Sequence, residues 1–183
     1  MKHLDAIAHY IALLKEYNER VNVYSRRSYD MLDFHVQDSV NLSRLISNKS
    51  VTVMDMGSGS GLPSVVLAIS NPKNWVVAVE SKGKKAAFLN HVGRELGLSN
   101  YEVVNMDVRE FIAVRKPRPQ VVTAKAFTSY AEIQKIIRPL VRPGLSLMIP
   151  ISKAQCEALS EISGVTFDLT YSEDGFFYVR EQY

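Results

Sequence analysis

Leu4, Ile7, Ile11 and Leu14 recur at helical spacing, with Tyr10 and Tyr17 beside them, so residues 3–20 read as an amphipathic helix. A second helix is predicted over 29–46, with Ser28 as its N-cap and Leu32, Val36 and Val40 facing inward. Residues 47–50 read as a loop. The period then shortens. Residues 51–56 form a β-branched run that ends at a glycine loop, and residues 75–80 form a second such run. Residues 82–96 are helical, closed by Gly97, which can take the left-handed conformation that ends helices.

A third strand is expected at 101–105, a short helix at 108–114, and a fourth strand at 120–124 after the break Lys116-Pro117-Arg118-Pro119. Ser129 and Glu132 have the spacing of a capping box, opening a helix with Ile133, Ile136, Ile137 and Leu140 inward. Pro143-Gly144 turns into a fifth strand, 145–151, and Ser152 with Gln155 caps a further helix. The tail reads as an antiparallel hairpin, 165–171 with 176–180. Strands alternating with helices imply a parallel sheet covered on both faces. With the terminal hairpin this is an α/β, doubly wound, seven-stranded, Rossmann-like plan preceded by two helices. A single domain, 1–183, is expected, with 1–48 as its helical part and 49–183 as its α/β core.

Composition changes this picture little. Hydrophobic residues make up 46% and charged residues 22%, the balance of an ordinary globular domain. No stretch is apolar for the roughly 20 residues a bilayer requires, and the N-terminus does not read as a signal peptide. Cys156 alone allows no internal disulfide and fits a reducing compartment, so the cytoplasm is expected; the thiol reads as a small packing residue. Charge is more informative. The net of +3 hides six acids against one base in 154–183, leaving 21 bases and 13 acids in residues 1–153. A polyanion would favour that larger part.

Asp55-x-Gly57-x-Gly59-x-Gly61 sits where a strand runs into a helix, with Leu62-Pro63 after it and Glu80 closing the next strand, 25 residues beyond Asp55. Glycines allow close approach of a ligand and positive φ, and Glu80 can accept from two ribose hydroxyls. The dinucleotide pattern G-x-G-x-x-G places Leu62 or Ser64 at its third glycine and fits poorly. S-adenosylmethionine fits the spacing better, with a nicotinamide dinucleotide or a ligand-free turn as the alternatives. Asp107 can accept from an adenine amino group or cap the helix that follows it, and the backbone at Val108 and Arg109 can pair with the ring.

The segment after the fourth strand, Ala124-Lys125-Ala126-Phe127, lacks the Asn- or Asp-Pro-Pro-aromatic loop used for exocyclic amines. Methylation of a pyrimidine C5 needs a nucleophilic cysteine near the site, and Cys156 lies far along the chain. A ring nitrogen with a free lone pair, such as guanine N7, needs neither device, because alignment supplies much of the rate.

These segments, with residues 13–22 and His35-Val36-Gln37-Asp38-Ser39-Val40, resemble the bacterial 16S ribosomal RNA guanine-N7 methyltransferase family, also called glucose-inhibited division protein B. The resemblance covers about residues 10 to 150. It implies S-adenosylmethionine as cofactor, with contacts at Gly57, Leu62, Val108, Arg109 and Lys125, and 16S ribosomal RNA or the 30S particle as partner. Independently of the resemblance, a monomer is expected, with no metal, since His35 and Asp38 lack a third ligand, and no membrane. The family usually has arginine where Lys125 and Asp107 stand, and Lys-Gly at the end of the fifth strand, where this chain has Pro150 nearby. Lys125 keeps the charge without arginine's bidentate fork and is a candidate for orienting the reactants.

His35 and Asp38, three apart on one helix face, read as a brace in preference to a catalytic pair. Arg115, Lys116 and Arg118 are the candidate phosphate contacts, with stacking of a base on Phe127 or Tyr130, whereas Lys135, Arg138 and Arg142 read as a solvated face. A methyltransferase acting on a small molecule or protein, or an inactive cofactor-binding domain, are the other readings.

Overall fold

The computed structural model describes residues 3–46, 50–160, 168–171 and 177–183. The first helix, α1 (His3–Arg20), buries Ile7, Tyr10, Leu13, Leu14 and Asn18. Its stripe is rotated from the predicted one, and Leu4 is exposed. The second helix, α2, spans Leu32–Leu45. It starts later than its sequence suggests, because residues Arg26–Met31 form a 3₁₀ turn and Ser28 makes no cap.

Asn18 causes that delay. Its Oδ1 accepts from the amides of Val23 and Tyr24, while Nδ2 donates to the Tyr24 carbonyl and the Tyr29 hydroxyl. The chain after α1 is therefore wound around one buried amide before α2 can begin.

Strands β1 (Thr52–Met56), β2 (Trp75–Val79), β3 (Tyr101–Val104), β4 (Val121–Thr123) and β5 (Ser146–Ile151) are parallel. Between them lie α3 (Ser64–Ser70), α4 (Gly83–Glu95), α5 (Val108–Arg115) and α6 (Tyr130–Ile137). After β5 come α7 (Lys153–Ser160), β6 (Asp168–Tyr171) and β7 (Phe177–Gln182). The sheet order is β3-β2-β1-β4-β5-β7-β6, with β7 antiparallel to both neighbours. The described parts of the tail form the expected hairpin; 165–167 and 172–176 lie outside the described residues.

Alternation along the strands builds two layers. Met54, Met56, Val77 and Val79 face α5 and α6, packing on Phe111, Ile112, Ile133 and Ile137. Ala78 faces the opposite layer, where α1 and α2 pack with α3 and α4 through Tyr10, Leu14, Val36, Val66 and Phe88. The reversal of strand order between β1 and β4 leaves a crevice beyond the carboxyl ends of these strands, the usual place for a ligand in an open α/β sheet.

Candidate functional site

Gly57, Gly59 and Gly61 all have positive φ (+70, +58 and +96°). The amides of Gly57 and Ser58 both donate to the Val79 carbonyl, tying the loop to the end of β2. The three glycines differ in what a side chain would meet. At Gly61 a Cβ would lie 2.5 Å from Val65 and 3.1 Å from Leu89; at Gly57 it would overlap the Phe127 ring. At Gly59 it would meet only the Gly57 carbonyl, at 3.7 Å. The space a ligand can use therefore lies over Gly59, whereas Gly61 is required for helix packing.

Glu80 is 5% exposed and stands just past β2. Its Oε2 accepts from the Gly59 amide at 2.8 Å and its Oε1 from the Lys82 amide at 2.7 Å. The sequence suggested a ribose acceptor; the structure makes Glu80 a clamp on the glycine loop, with one lone pair left on each oxygen. The other support was not foreseen. Tyr10, fully buried on α1, donates its hydroxyl to the Ser60 carbonyl at 2.8 Å. A tyrosine among inward aliphatic residues was the available signal, because a buried phenol needs a partner.

Asp55 is 1% exposed, and neither carboxylate oxygen has a hydrogen-bond partner among the described residues. Nearby hydroxyls bond elsewhere, that of Ser58 to the Asp55 carbonyl and that of Ser64 with the Tyr101 hydroxyl. Burial pushes the Asp55 carboxyl up to about 7, the proximity of Ser58 and Ser64 only partly opposing it. Leu62 is buried in the helical layer.

Asp107 caps α5, its Oδ1 accepting from the Arg109 amide at 2.8 Å and, more weakly, from Glu110. This occupies the Arg109 amide that sequence reasoning had offered to an adenine ring, and Val108 is turned into the core. The Arg109 guanidinium meets Glu132 at 2.5 Å, joining α5 to α6 and holding the Glu132 carboxyl below its usual range.

Lys125 has a partner that the sequence did not disclose. Its Nζ lies 2.5 Å from Asp38 Oδ2 and donates to the His35 carbonyl at 3.3 Å. Tyr178 completes the cluster, its hydroxyl 3.0 Å from both the carbonyl and Oδ1 of Asp38. The His35 ring instead places Nδ1 2.8 Å from the Tyr24 hydroxyl, and burial followed by the Lys125 charge holds its pKa down. Among the described residues His35 and Asp38 share no hydrogen bond, which fits a brace.

Beside this cluster, a cleft of about 710 Å³ opens at the carboxyl ends of β4 and β5. Phe34, Phe127, Tyr130 and Pro150 line it, with Lys125 and Lys153 among its charged groups. Arg115, Lys116 and Arg118 lie elsewhere. They precede β4, at the amino edge of the sheet, whereas Lys125 follows β4; seven extended residues span about 20 Å. Cys156 falls on α7, its side chain outside the described residues. Among the described residues no group of His, Cys, Asp and Glu is placed to hold a metal, and no helix is long and apolar enough to cross a membrane.

The sheet order, the glycine loop after β1 and the carboxylate after β2 define the class: a Rossmann-like methyltransferase fold. Solved structures that share it include two methyltransferase-fold proteins. One is the C-terminal domain of precorrin-6Y C5,15-methyltransferase from Rhodobacter capsulatus, with a TM-score of 0.59 and 15% identity over 80% of this chain and 88% of that one. The other is cofactor-bound Rv0187 from MTB, with a TM-score of 0.61 and 18% identity over 96% of this chain and 88% of that one.

The chain belongs to the family described as rRNA small subunit methyltransferase G, which it matches over residues 3–167. Relatives named ribosomal RNA small subunit methyltransferase G include one from Laribacter hongkongensis, 35% identical over 75% of this chain and 65% of the relative. Another, from Staphylococcus haemolyticus, is 32% identical over 90% of this chain and 72% of the relative. The chain spans 65% of the length of the Laribacter hongkongensis and Leptothrix cholodnii relatives.

Proposed function

We propose that this chain transfers a methyl group from S-adenosylmethionine to N7 of a guanine in small-subunit ribosomal RNA, acting in the cytoplasm as one methyltransferase domain. The observation that carries the reading is the proximity of two spaces: the open one over Gly59, and the aromatic-lined cleft beyond β4 and β5, joined through Phe127, which lines the cleft and packs against Gly57 of the same loop. The residues present fit the cofactor. Gly57 and Gly59 would take its amino-acid end, with the unpartnered Asp55 carboxylate near its cation. Glu80 would use its remaining lone pairs on the ribose, and Asp107 with the Val108–Arg109 backbone would border the adenine.

When bound, S-adenosylmethionine supplies an electrophilic methyl group. The chain's task is alignment. Guanine N7 carries a lone pair and loses no proton, so no general base is needed. The cleft agrees with that, since the ring of its histidine is engaged by the Tyr24 hydroxyl and its aspartate is paired with Lys125. Phe127 and Tyr130 offer faces on which an unstacked base can rest.

The test combines binding and transfer. S-adenosylhomocysteine should give a calorimetric response that nicotinamide and flavin dinucleotides do not, and Gly59→Val should abolish it by filling the open space. Labelled cofactor with 30S particles lacking the modification should then place its label on a guanine N7. Binding of a dinucleotide in place of S-adenosylhomocysteine overturns the cofactor; transfer to a small molecule or protein, but not to the particle, overturns the substrate.

A further inference from the structure

We propose that the groove between α5 and α6 is a second RNA-binding site, which holds the phosphodiester backbone of the strand whose base enters the cleft at β4 and β5. The inference rests on the RNA reading above. The groove has a volume of about 660 Å³. Its floor is apolar, made by Ile112, Ile136 and Leu140, and its rim carries Arg109, Lys116, Arg118, Lys135 and Arg142 against, among the described residues, a single acid, Glu132.

That acid is already neutralised. Glu132 takes Arg109 at 2.5 Å and Lys135 at 3.6 Å. Arg142 is fixed by its donations to the carbonyls of Pro119 (2.7 Å) and Leu140 (3.3 Å), which leave its charge uncompensated. Lys116 and Arg118 are exposed and have no ion pair among the described residues. Two basic clusters that look unrelated along the sequence, one before β4 and one on and after α6, thus face each other across one groove.

One feature favours a nucleic-acid backbone over an acidic protein segment, and a second marks the basic rim as more than a solvated face. The first is continuity with the acceptor cleft. Ser129, the cap of α6, and Tyr130 and Ile133 within it line the cleft, while Lys135 and Ile136 line the groove. The eight residues of α6 span about 12 Å, the rise of three or four stacked nucleotides at about 3.4 Å each. One strand can therefore lie in both sites. The second is Lys116 itself. It ends α5 in the left-handed conformation, with φ of +47°, where glycine is the favoured residue and a side chain adds about 1 kcal/mol of strain. A lysine at that point is worse for the fold than glycine, yet it sets an ammonium on the rim.

The site is tested with 30S particles lacking the modification, titrated at several salt concentrations. Wild type is compared with Lys116→Gly, Arg118→Gln, Lys135→Gln and the triple variant. The triple variant should bind about tenfold more weakly, and its plot of log affinity against log salt should flatten by roughly 0.7 for each single-strand phosphate that is no longer neutralised. Lys116→Gly should weaken particle binding while raising the unfolding midpoint, a combination that a purely structural lysine would not give. S-adenosylhomocysteine affinity should be unchanged in all four variants, which controls for folding. A triple variant with wild-type affinity and slope, in a preparation whose wild type methylates the particle, overturns the groove alone. A wild type that neither binds nor methylates the particle overturns the RNA reading beneath it.

Discussion

Asp55 sits in the central strand, in register with Ala78 of β2 and Thr123 of β4, and the Thr123 hydroxyl also lacks a partner among the described residues. A buried carboxylate without a donor is costly when ionised, which is why its pKa rises to about 7. The sign follows from linkage. Between about pH 4 and 7 the folded chain holds a proton that the unfolded chain has lost, so stability falls as pH rises through that window. At most the effect is roughly 4 kcal/mol, from about 1.4 kcal/mol per pH unit. Asp55→Asn should therefore resist denaturant better than wild type at pH 8, and the difference should shrink towards pH 4. Parallel pH profiles for the two proteins would show that Asp55 is ionised without penalty.

At the scale of elements, the crevice is shaped by how helices begin. Asp107, Ser129 and the reciprocal Ser152–Gln155 pair each cap a helix at the carboxyl edge of the sheet. These caps were legible because capping is local: the side chain and the amides it satisfies lie within three residues. Ser28 had the same local qualification and failed, because Asn18 had already committed the following backbone to a turn. Asp107 caps α5, the proposed function would also set it beside the cofactor, and two substitutions separate these roles. Asp107→Ala should lower stability by about 1 kcal/mol, whereas Asp107→Asn, which can still cap, should not. If Asp107→Asn weakens S-adenosylhomocysteine binding at full stability, the side chain touches the ligand; if neither variant alters stability, the cap is of no consequence.

For the whole molecule, the Asp38–Lys125–Tyr178 cluster joins α2, the end of β4 and β7, regions separated by up to 140 residues. Both partners of the ion pair are nearly excluded from solvent, at 15% and 8% exposure. Removing one partner of such a pair typically costs about 3 kcal/mol or more, because the other charge stays buried. Lys125→Ala should therefore move the denaturation midpoint clearly downward. Combining it with Asp38→Asn should cost less than the sum of the two single changes. A Lys125→Ala protein as stable as wild type would mean that the pair is solvated and that Lys125 is free to serve the cofactor, the role its position after β4 had suggested.

The sequence alone was enough for everything that depends on neighbours along the chain. The period of apolar residues located the strands and helices, glycine and proline marked the turns, and the spacing of Asp55, the glycines and Glu80 singled out the loop between β1 and α3. Periodicity gave only the approximate face of α1, so Leu4 was wrongly turned inward. Tertiary structure decided what each polar group in the site is bonded to. Glu80 clamps amides, the Arg109 amide is taken by a cap, Lys125 faces Asp38, and Tyr10 holds the loop from 50 residues away. It also sent Arg115, Lys116 and Arg118 to the far edge of the sheet and brought Lys116 and Arg118 opposite Lys135 and Arg142. The division has a physical cause. Secondary structure follows from short-range sterics and solvent exposure, whereas a buried charge or hydroxyl takes whichever partner the packing of distant segments places within about 3 Å.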